Sequence, residues 1–459
     1  MKAMRGAALA LAVAAAPAAA QAVDTAALGA AVAAELARTG MPGVAVVIVR
    51  GGEVEFARGY GVANVETGQA MTPDLLFQVG SVTKPFTAAA ALTMVHDGRL
   101  ELDAPAGRYV SDLASRIAPL TLRELLAQTT GLADESAEHG VHGEGTLVPY
   151  VQGWTGAEAV LERGEAFSYS NRNFTLAGAL VEAASGKPYD EVVRERVLAP
   201  LGMRNATFRP TEAITQPVAQ GHAARPGQPL AVVRPRADDT RQWPAGYLYA
   251  SAPEVARLVI ALLNRGRVDG RQAIPAAVVD SMLVARAAVP GLPNDARYGF
   301  GLFHDRIGGM ASSWHSGTMP GFTAIFRVIP ERRVGVVILG NREVRLDALA
   351  EAALSAAFRE PLRSPATDVA AVAMSREELA RYAGRYTGRF PLVLRMGNGG
   401  LLLERFGATL SVTPLGGGRF AVQAPGAPRP DVFTVVLPRD GRPGYLQMFL
   451  WAFPRDPAP

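Results

Sequence analysis

The chain has 459 residues, 49% of them hydrophobic and 19% charged, which describes a globular protein rather than a disordered one. Its formal charge of +4 is small for that length, and no basic run or stripe stands out, so a nucleic-acid partner is not expected. The absence of cysteine excludes disulfides, a thiol nucleophile and thiolate metal sites, and is compatible with an oxidising compartment.

The start, MKAMRGAALALAVAAAPAAAQA, reads as a secretory signal. Lys2 and Arg5 form the charged region, Ala7 to Ala16 the apolar region, and Ala20-Gln21-Ala22 the small-residue cleavage site. Cleavage after Ala22 and export to a bacterial periplasm are expected. No other stretch approaches the ~18 uninterrupted apolar residues of a membrane span, so no stable span is expected in the mature chain.

Thr25 to Arg38 carries Leu28, Val32 and Leu36 at helical spacing. VAVVIVRGGEVEFARGYGV then reads as a hairpin turning at Gly51-Gly52. From about Ser81 to Leu263 helix signals dominate, including TLRELLAQ (121–128) and FTLAGALVEAAS (174–185), the latter stopped by Gly186. Strand character returns at GFTAIFRVIPERRVGVVILGN (321–341), whose run Val334 to Leu339 is apolar enough for a centrally buried strand. Strands at both ends of a helical middle predict an α/β domain over 23–360, its sheet completed by distant parts of the chain. Residues 361–376, beginning in REPLRSPATD, read as a linker. From 377 to 459 short β-rich runs alternate with glycine turns, as in a small antiparallel barrel or sandwich.

Only three lysines occur, Lys2, Lys84 and Lys187, although Lys plus Arg number 46. Where this chain needs mere positive charge it uses arginine, which keeps its proton, whereas lysine can give its proton up when buried. Lys84 stands three residues after Ser81 in GSVTKPF, which opens a run apolar on nearly all sides up to His96. Positions i and i+3 of a helix share a face, so Ser81 and Lys84 can meet at the N-terminus of a buried helix. A neutral lysine beside a serine hydroxyl can act as general base and make the serine a nucleophile. The alternative is a helix cap with a lysine reaching for solvent.

Ser-x-x-Lys is the first of three motifs shared by penicillin-binding proteins and serine β-lactamases. EAFSYSNRNFTLAGALVEAASGKPYDEVVRERVLAPLGM (165–203) resembles the second-motif region of class C β-lactamases and their D-aminopeptidase, D-alanyl carboxypeptidase and esterase relatives. WHSGTMPGF resembles the third-motif region, and TLRELLAQTTGL (121–132) a structural stretch of the same family. The resemblance covers about 25–360. It implies the β-lactamase/transpeptidase-like fold, an antiparallel sheet flanked by helices with a mainly helical region. ELARYAGRYTG (378–388) is similar to the lipocalin-like domain appended to some of these hydrolases.

The resemblance further implies Ser81 as nucleophile, with Lys84 and Tyr169 as proton-transfer partners. A phenol acting as base needs nearby positive charge, which Lys84 could supply. Asn171 of Tyr169-Ser170-Asn171 would fix Lys84 and a substrate amide, or else cap a helix. His315, Ser316 and Gly317 form the third motif, with a histidine where most β-lactamases carry lysine. Gly317 would let a substrate backbone approach the strand. The backbone N–H groups of Ser81 and Thr318 would form the oxyanion hole. Neither metal nor organic cofactor is implied: His139 and His142 lack a matching carboxylate set. Lys187 is read as a solvated residue after a helix. The expected partner is a small-molecule or peptide substrate, including peptidoglycan-derived and β-lactam classes. Three functions stay open: a peptidase or esterase, a β-lactamase, and a penicillin-recognising sensor without efficient turnover.

Overall fold

The computed structural model describes residues 22–135, 139–143, 145–224, 227–362, 370–427, 430–439, 442 and 444–457. The expected signal sequence, apart from Ala22, and the middle of the expected linker lie outside the described residues.

The first helix, α1 (Thr25–Thr39), starts where the Asp24 carboxylate accepts the Ala27 N–H at 3.0 Å and stops at Gly40 in the left-handed region. Next comes the hairpin of β1 (Gly43–Arg50) and β2 (Glu53–Asn64). Its turn residues Gly51 and Gly52 both have positive φ, 64° and 114°, as a two-residue hairpin requires. The remaining strands of this sheet are β3 (Gln69–Ala70), β4 (Ala287–Ala288), β5 (Arg297–Tyr298), β6 (Phe303–Ile307), β7 (Met310–Met319), β8 (Phe322–Ile329) and β9 (Val334–Gly340). Together they make nine strands in the order β4-β5-β6-β7-β8-β9-β1-β2-β3, with β1 antiparallel to β9 through Val44↔Gly340 to Arg50↔Val334. The sheet is thus closed by the two distant ends of the domain, as the sequence pattern predicts.

Why β1 and β9 are apolar throughout follows from their position. Val44, Val46, Ile48, Val336 and Ile338 face α1 and a late helix, α5 (Asp347–Phe358), through Leu28, Val32, Leu349 and Leu354. Val47, Val49, Val337 and Leu339 face the other side, toward α4 (Ala252–Leu263) and the helical region. Strands buried on both faces lose the alternation of a half-exposed strand. The helical region centres on α2 (Lys84–His96) and α3 (Asn171–Ser185). Every residue of α2 from Lys84 to Met94 is buried, consistent with its lack of a polar face.

The C-terminal unit is an eight-stranded antiparallel meander. Its strands are β10 (Gly384–Tyr386), β11 (Leu392–Gly397), β12 (Gly400–Arg405), β13 (Ala408–Gly416), β14 (Arg419–Val422), β15 (Asp431–Val436), β16 (Tyr445–Met448) and β17 (Trp451–Pro454). Tyr386 bridges to Arg455, and the Thr387 and Asp456 N–H groups donate to Pro454 O (3.0 Å) and Arg385 O (2.9 Å), so the first strand nearly closes on the last. Leu394, Leu403, Phe420, Phe433, Leu446 and Phe453 fill its interior, which is a packed core.

Two glycines test this packing in opposite directions. A Cβ on Gly335 of β9 would meet Val259 Cγ1 of α4 at 2.3 Å, whereas one on Gly29 of α1 meets nothing within 4 Å. Gly335→Ala should lower unfolding free energy by about 1–3 kcal/mol, and Gly29→Ala should raise it by up to about 1 kcal/mol. Urea denaturation of both variants beside wild type checks the pair.

Candidate active site

Gly80–Thr83 forms one 3-10 turn that runs straight into α2 at Lys84. Three residues per turn eclipse i and i+3, so the serine sits over the lysine more squarely than in the α-helical start read from sequence. The Lys84 Nζ donates to Ser81 Oγ at 3.0 Å, to Asn171 Oδ1 at 2.7 Å and to Ala245 O at 2.7 Å. The Asn171 amide is oriented because its Nδ2 donates to Glu135 O at 2.9 Å, leaving Oδ1 toward the lysine. Burial lowers the Lys84 pKa to about 7, against the attraction of the Asp134 carboxylate. Asn171 Oδ1 and Ala245 O can only accept. A neutral amine therefore keeps its two N–H bonds on them and turns its lone pair to the remaining partner, the Ser81 hydroxyl.

Tyr169 is buried, with the Ser81 side chain near its hydroxyl. Burial holds this phenol well above its ordinary value, and the neighbouring Ser81 side chain opposes that only in part. Tyr169 thus stays protonated at neutral pH, and the amine under its ring, 4.7 Å from the centroid, is the more available base. The segment carrying Tyr169 is stitched on both sides. Gln128, at φ 61°, accepts the Ser168 N–H on its carbonyl and the Ser170 N–H on Oε1, both at 2.9 Å. From the barrel, Leu450 O accepts the Tyr169 N–H at 2.8 Å, and Gln447 Nε2 donates to Phe167 O at 2.8 Å. Asn171 opens α3, but its side chain serves Lys84. Its own N–H is taken by Asp134 Oδ1 at 2.8 Å.

His315 is 1% exposed. Its Nδ1 lies 2.6 Å from Ser316 O, a group that only accepts, so Nδ1 carries the proton and Nε2 accepts from the Tyr298 hydroxyl at 3.2 Å. Burial, then the Lys84 charge, push its pKa down to about 3. The ring is enclosed by Tyr169, Tyr298 and Phe303 and brings no charge to the cleft. Along β7 the pleat then exposes Ser316 and Thr318 and turns Gly317 inward. A Cβ on Gly317 would lie 2.1 Å from Val79 O and 2.6 Å from Ser81 N. One on Gly80 (φ +56°) would lie 2.5 Å from Thr318 N. The close approach that the sequence reading assigned to substrate is made by the chain's own 79–81 turn. These paired glycines set the Ser81 and Thr318 backbones side by side, the arrangement an oxyanion hole needs.

Ser81, Asn171, Tyr247, Thr318, Glu343 and Arg389 line a common cleft, with Lys84 and Tyr169 buried behind the serine. Sequence reasoning missed Ala245, Asp134 and Arg389. Ala245 acts through its carbonyl, and Arg389 arrives from the barrel; neither residue type nor spacing marks them. The other singled-out residues lie on the surface: His142 pairs with Asp238 at 2.8 Å and Lys187 with Glu195 at 2.8 Å. Among the described residues no His, Asp and Glu grouping suited to a metal occurs, and no helix is long and apolar enough to cross a membrane.

The chain is similar to known proteins in sequence and in fold. Protein flp of Staphylococcus aureus (strain MW2) is 27% identical over 315 residues, 67% of this chain and 61% of its own length, so the chain spans about three fifths of that relative. Penicillin-binding protein 4 of Amycolatopsis lactamdurans is 27% identical over 319 residues, 66% of this chain and 81% of its own. The crystal structure of SurE superposes over 94% of this chain and 99% of SurE, with a TM-score of 0.77 and 26% identity. A SurE structure with D-Leu gives 0.76 and 25%. Residues 28–360, the stretch that carries the three motifs and the nine-stranded sheet, match the Beta-lactamase family model. The chain belongs to the beta-lactamase family.

Proposed function

We propose that the protein is an exported serine hydrolase that cleaves amide or ester bonds through an acyl-enzyme on Ser81, with D-amino-acid peptides or small acyl esters as substrates. The observation that carries this reading is the Lys84 amine. It is buried, and two acceptor-only groups force its lone pair onto the Ser81 hydroxyl. Lys84 takes the Ser81 proton as Oγ bonds to the substrate carbonyl carbon. The Ser81 and Thr318 N–H groups hold the resulting oxyanion. Tyr169 then gives its hydroxyl proton to the leaving nitrogen or oxygen and recovers one originating on Lys84, as the carbon–heteroatom bond breaks. Water attacks the ester through the same groups in reverse, restoring Ser81.

Three observations support the substrate class. His315 is neutral and enclosed, so the fixed cation of the lysine-bearing third motif is absent from that position. The resemblance of the His-Ser-Gly form is to peptidases and esterases. SurE, which this chain matches across both domains, has been solved with D-Leu. Export rests on the charged-apolar-small pattern of residues 1–22.

A panel of a chromogenic cephalosporin, a p-nitrophenyl ester and a D-Ala-D-Ala peptide separates the alternatives. The peptide or ester should turn over fastest, and Ser81→Ala should lose about a thousandfold or more of that rate. Preferred cephalosporin turnover would instead establish a β-lactamase, stable acylation without turnover a sensor, and full activity in Ser81→Ala would remove the serine mechanism.

The pH profile follows from Lys84, which must be neutral to accept a proton. kcat/KM should therefore rise as pH increases through about 7, the value to which burial lowers this amine, and fall about tenfold per unit below it. No limb should come from His315. Lys84→Met should abolish both the limb and most of the rate. Tyr169→Phe should lower kcat by about a hundredfold or more while the acid limb stays near its wild-type position. Stopped assays across pH 5 to 9 read both variants.

A further inference from the structure

The barrel is not a bystander to the cleft. Asp134, on the loop before α3, has a side chain only 2% exposed, and each of its oxygens is engaged. Oδ1 accepts the Asn171 N–H at 2.8 Å. Oδ2 accepts the Trp451 Nε1–H at 3.2 Å and is paired with the Arg389 guanidinium. Both Oδ2 partners come from the barrel, Trp451 from the start of β17 and Arg389 from the loop between β10 and β11. Arg389 also lies 4.8 Å over the Trp451 ring, so cation and indole hold one another against the carboxylate. On the other side of Asp134, Asn171 passes directly to the Lys84 amine at 2.7 Å. A buried carboxylate cannot be left without countercharge at small cost, and here the other domain supplies it.

Resting on the Ser81 and Lys84 reading above, we propose that Arg389 is a positioning residue for the reaction: by pairing with Asp134 it makes the C-terminal barrel set the place and the electrostatic surroundings of Asn171 and Lys84. The groups facing Lys84 are few. Ser81, Asn171 and Ala245 O contact the amine, Tyr169 lies over it, and neutral His315 stands beyond. Asp134 is the anion that acts on it, favouring its protonated form. Glu135, next in sequence, is turned to the Tyr150 hydroxyl (2.6 Å) and Arg172 (3.2 Å), and Glu343 binds the Gly321 N–H at 3.1 Å. Removing the positive partner of Asp134 leaves its field uncompensated and favours the Lys84 ammonium; removing the negative charge of Asp134 does the opposite.

The test is the acid limb of kcat/KM for p-nitrophenyl acetate in the full-length mature chain, for wild type, Arg389→Gln, Arg389→Lys, Asp134→Asn and Ser81→Ala. This ester is uncharged, so Arg389 has no anion on it to hold directly. Where its turnover is slow, the rate of Ser81 acetylation by the same ester, followed by intact mass, gives the same limb. Arg389→Gln should move the limb to higher pH by about half a unit or more, and Asp134→Asn should move it to lower pH. Arg389→Lys, which keeps the charge, should leave it at the wild-type position. Opposite shifts distinguish this role from a purely structural one, which would reduce rate without moving the limb. A limb unmoved in folded Arg389→Gln overturns the inference, as do shifts of the same sign in the two charge-removing variants. Should Asp134→Asn not fold, Arg389→Gln against Arg389→Lys decides alone. A Ser81→Ala variant as active as wild type is a different failure, that of the serine mechanism itself.

Discussion

One amine, held out of water by three segments that are far apart in the chain, is the constraint on which the rest of this structure depends. Lys84 meets Ser81 from its own turn, Asn171 from the start of α3, and the carbonyl of Ala245. An ammonium in such a place is costly, and the protein lessens that cost by letting the proton leave. The packing around it follows from this. The α2 helix must be buried along its length, and so carries alanine and other apolar residues on every side. Gly178 of α3 has no Cβ because one would meet Pro244 Cγ at 2.3 Å, beside the carbonyl that Lys84 uses. Small residues near the site are spacing devices as much as conformational ones.

The pKa-shifting environment also sorts the ionisable groups by role. Burial acts in the same sense on three groups, toward the neutral form, but their starting points differ. Lysine arrives near neutrality, tyrosine moves out of reach above it, and histidine moves out of reach below it. A single dry environment therefore yields one titrating base beside two groups whose resting protonation does not change near neutral pH. The His315 tautomer is fixed as well, by a carbonyl on one nitrogen and a phenol on the other.

Much of this was legible in the sequence, for identifiable reasons. The rarity of lysine exposed Lys84, because a residue type avoided elsewhere carries information where it is kept. A β-rich run ending in the Gly51-Gly52 turn marked β1 and its hairpin with β2, and a continuous apolar run marked β9. The short β-rich runs beyond 377 marked a small antiparallel barrel or sandwich; the near closure that makes it barrel-like depends on Tyr386 meeting Arg455. Other features were hidden by the physics that creates them. Ala245 contributes a carbonyl that any residue would offer. Arg389 is one arginine in a chain that uses arginine everywhere. Gly317 was read as letting a substrate backbone approach, and only three-dimensional packing shows the 79–81 backbone lying against it. His315 was placed in the motif by its neighbours, while the direction of its ring is set by Tyr298 and Phe303, which no local pattern connects to it.

The central pairing of β1 with β9 has a consequence for how the chain reaches this state. Val44 finds its partner only at Gly340, so the second edge of the first long strand stays open until nearly the whole family domain has been made. The hairpin can form at once, but its apolar residues cannot be covered on both sides by anything local. Such long-range closure makes folding slow and leaves an unpaired edge exposed in the meantime. This sheet can be completed only once residues 334–340 are available, so β1 keeps one open edge for most of the chain's synthesis.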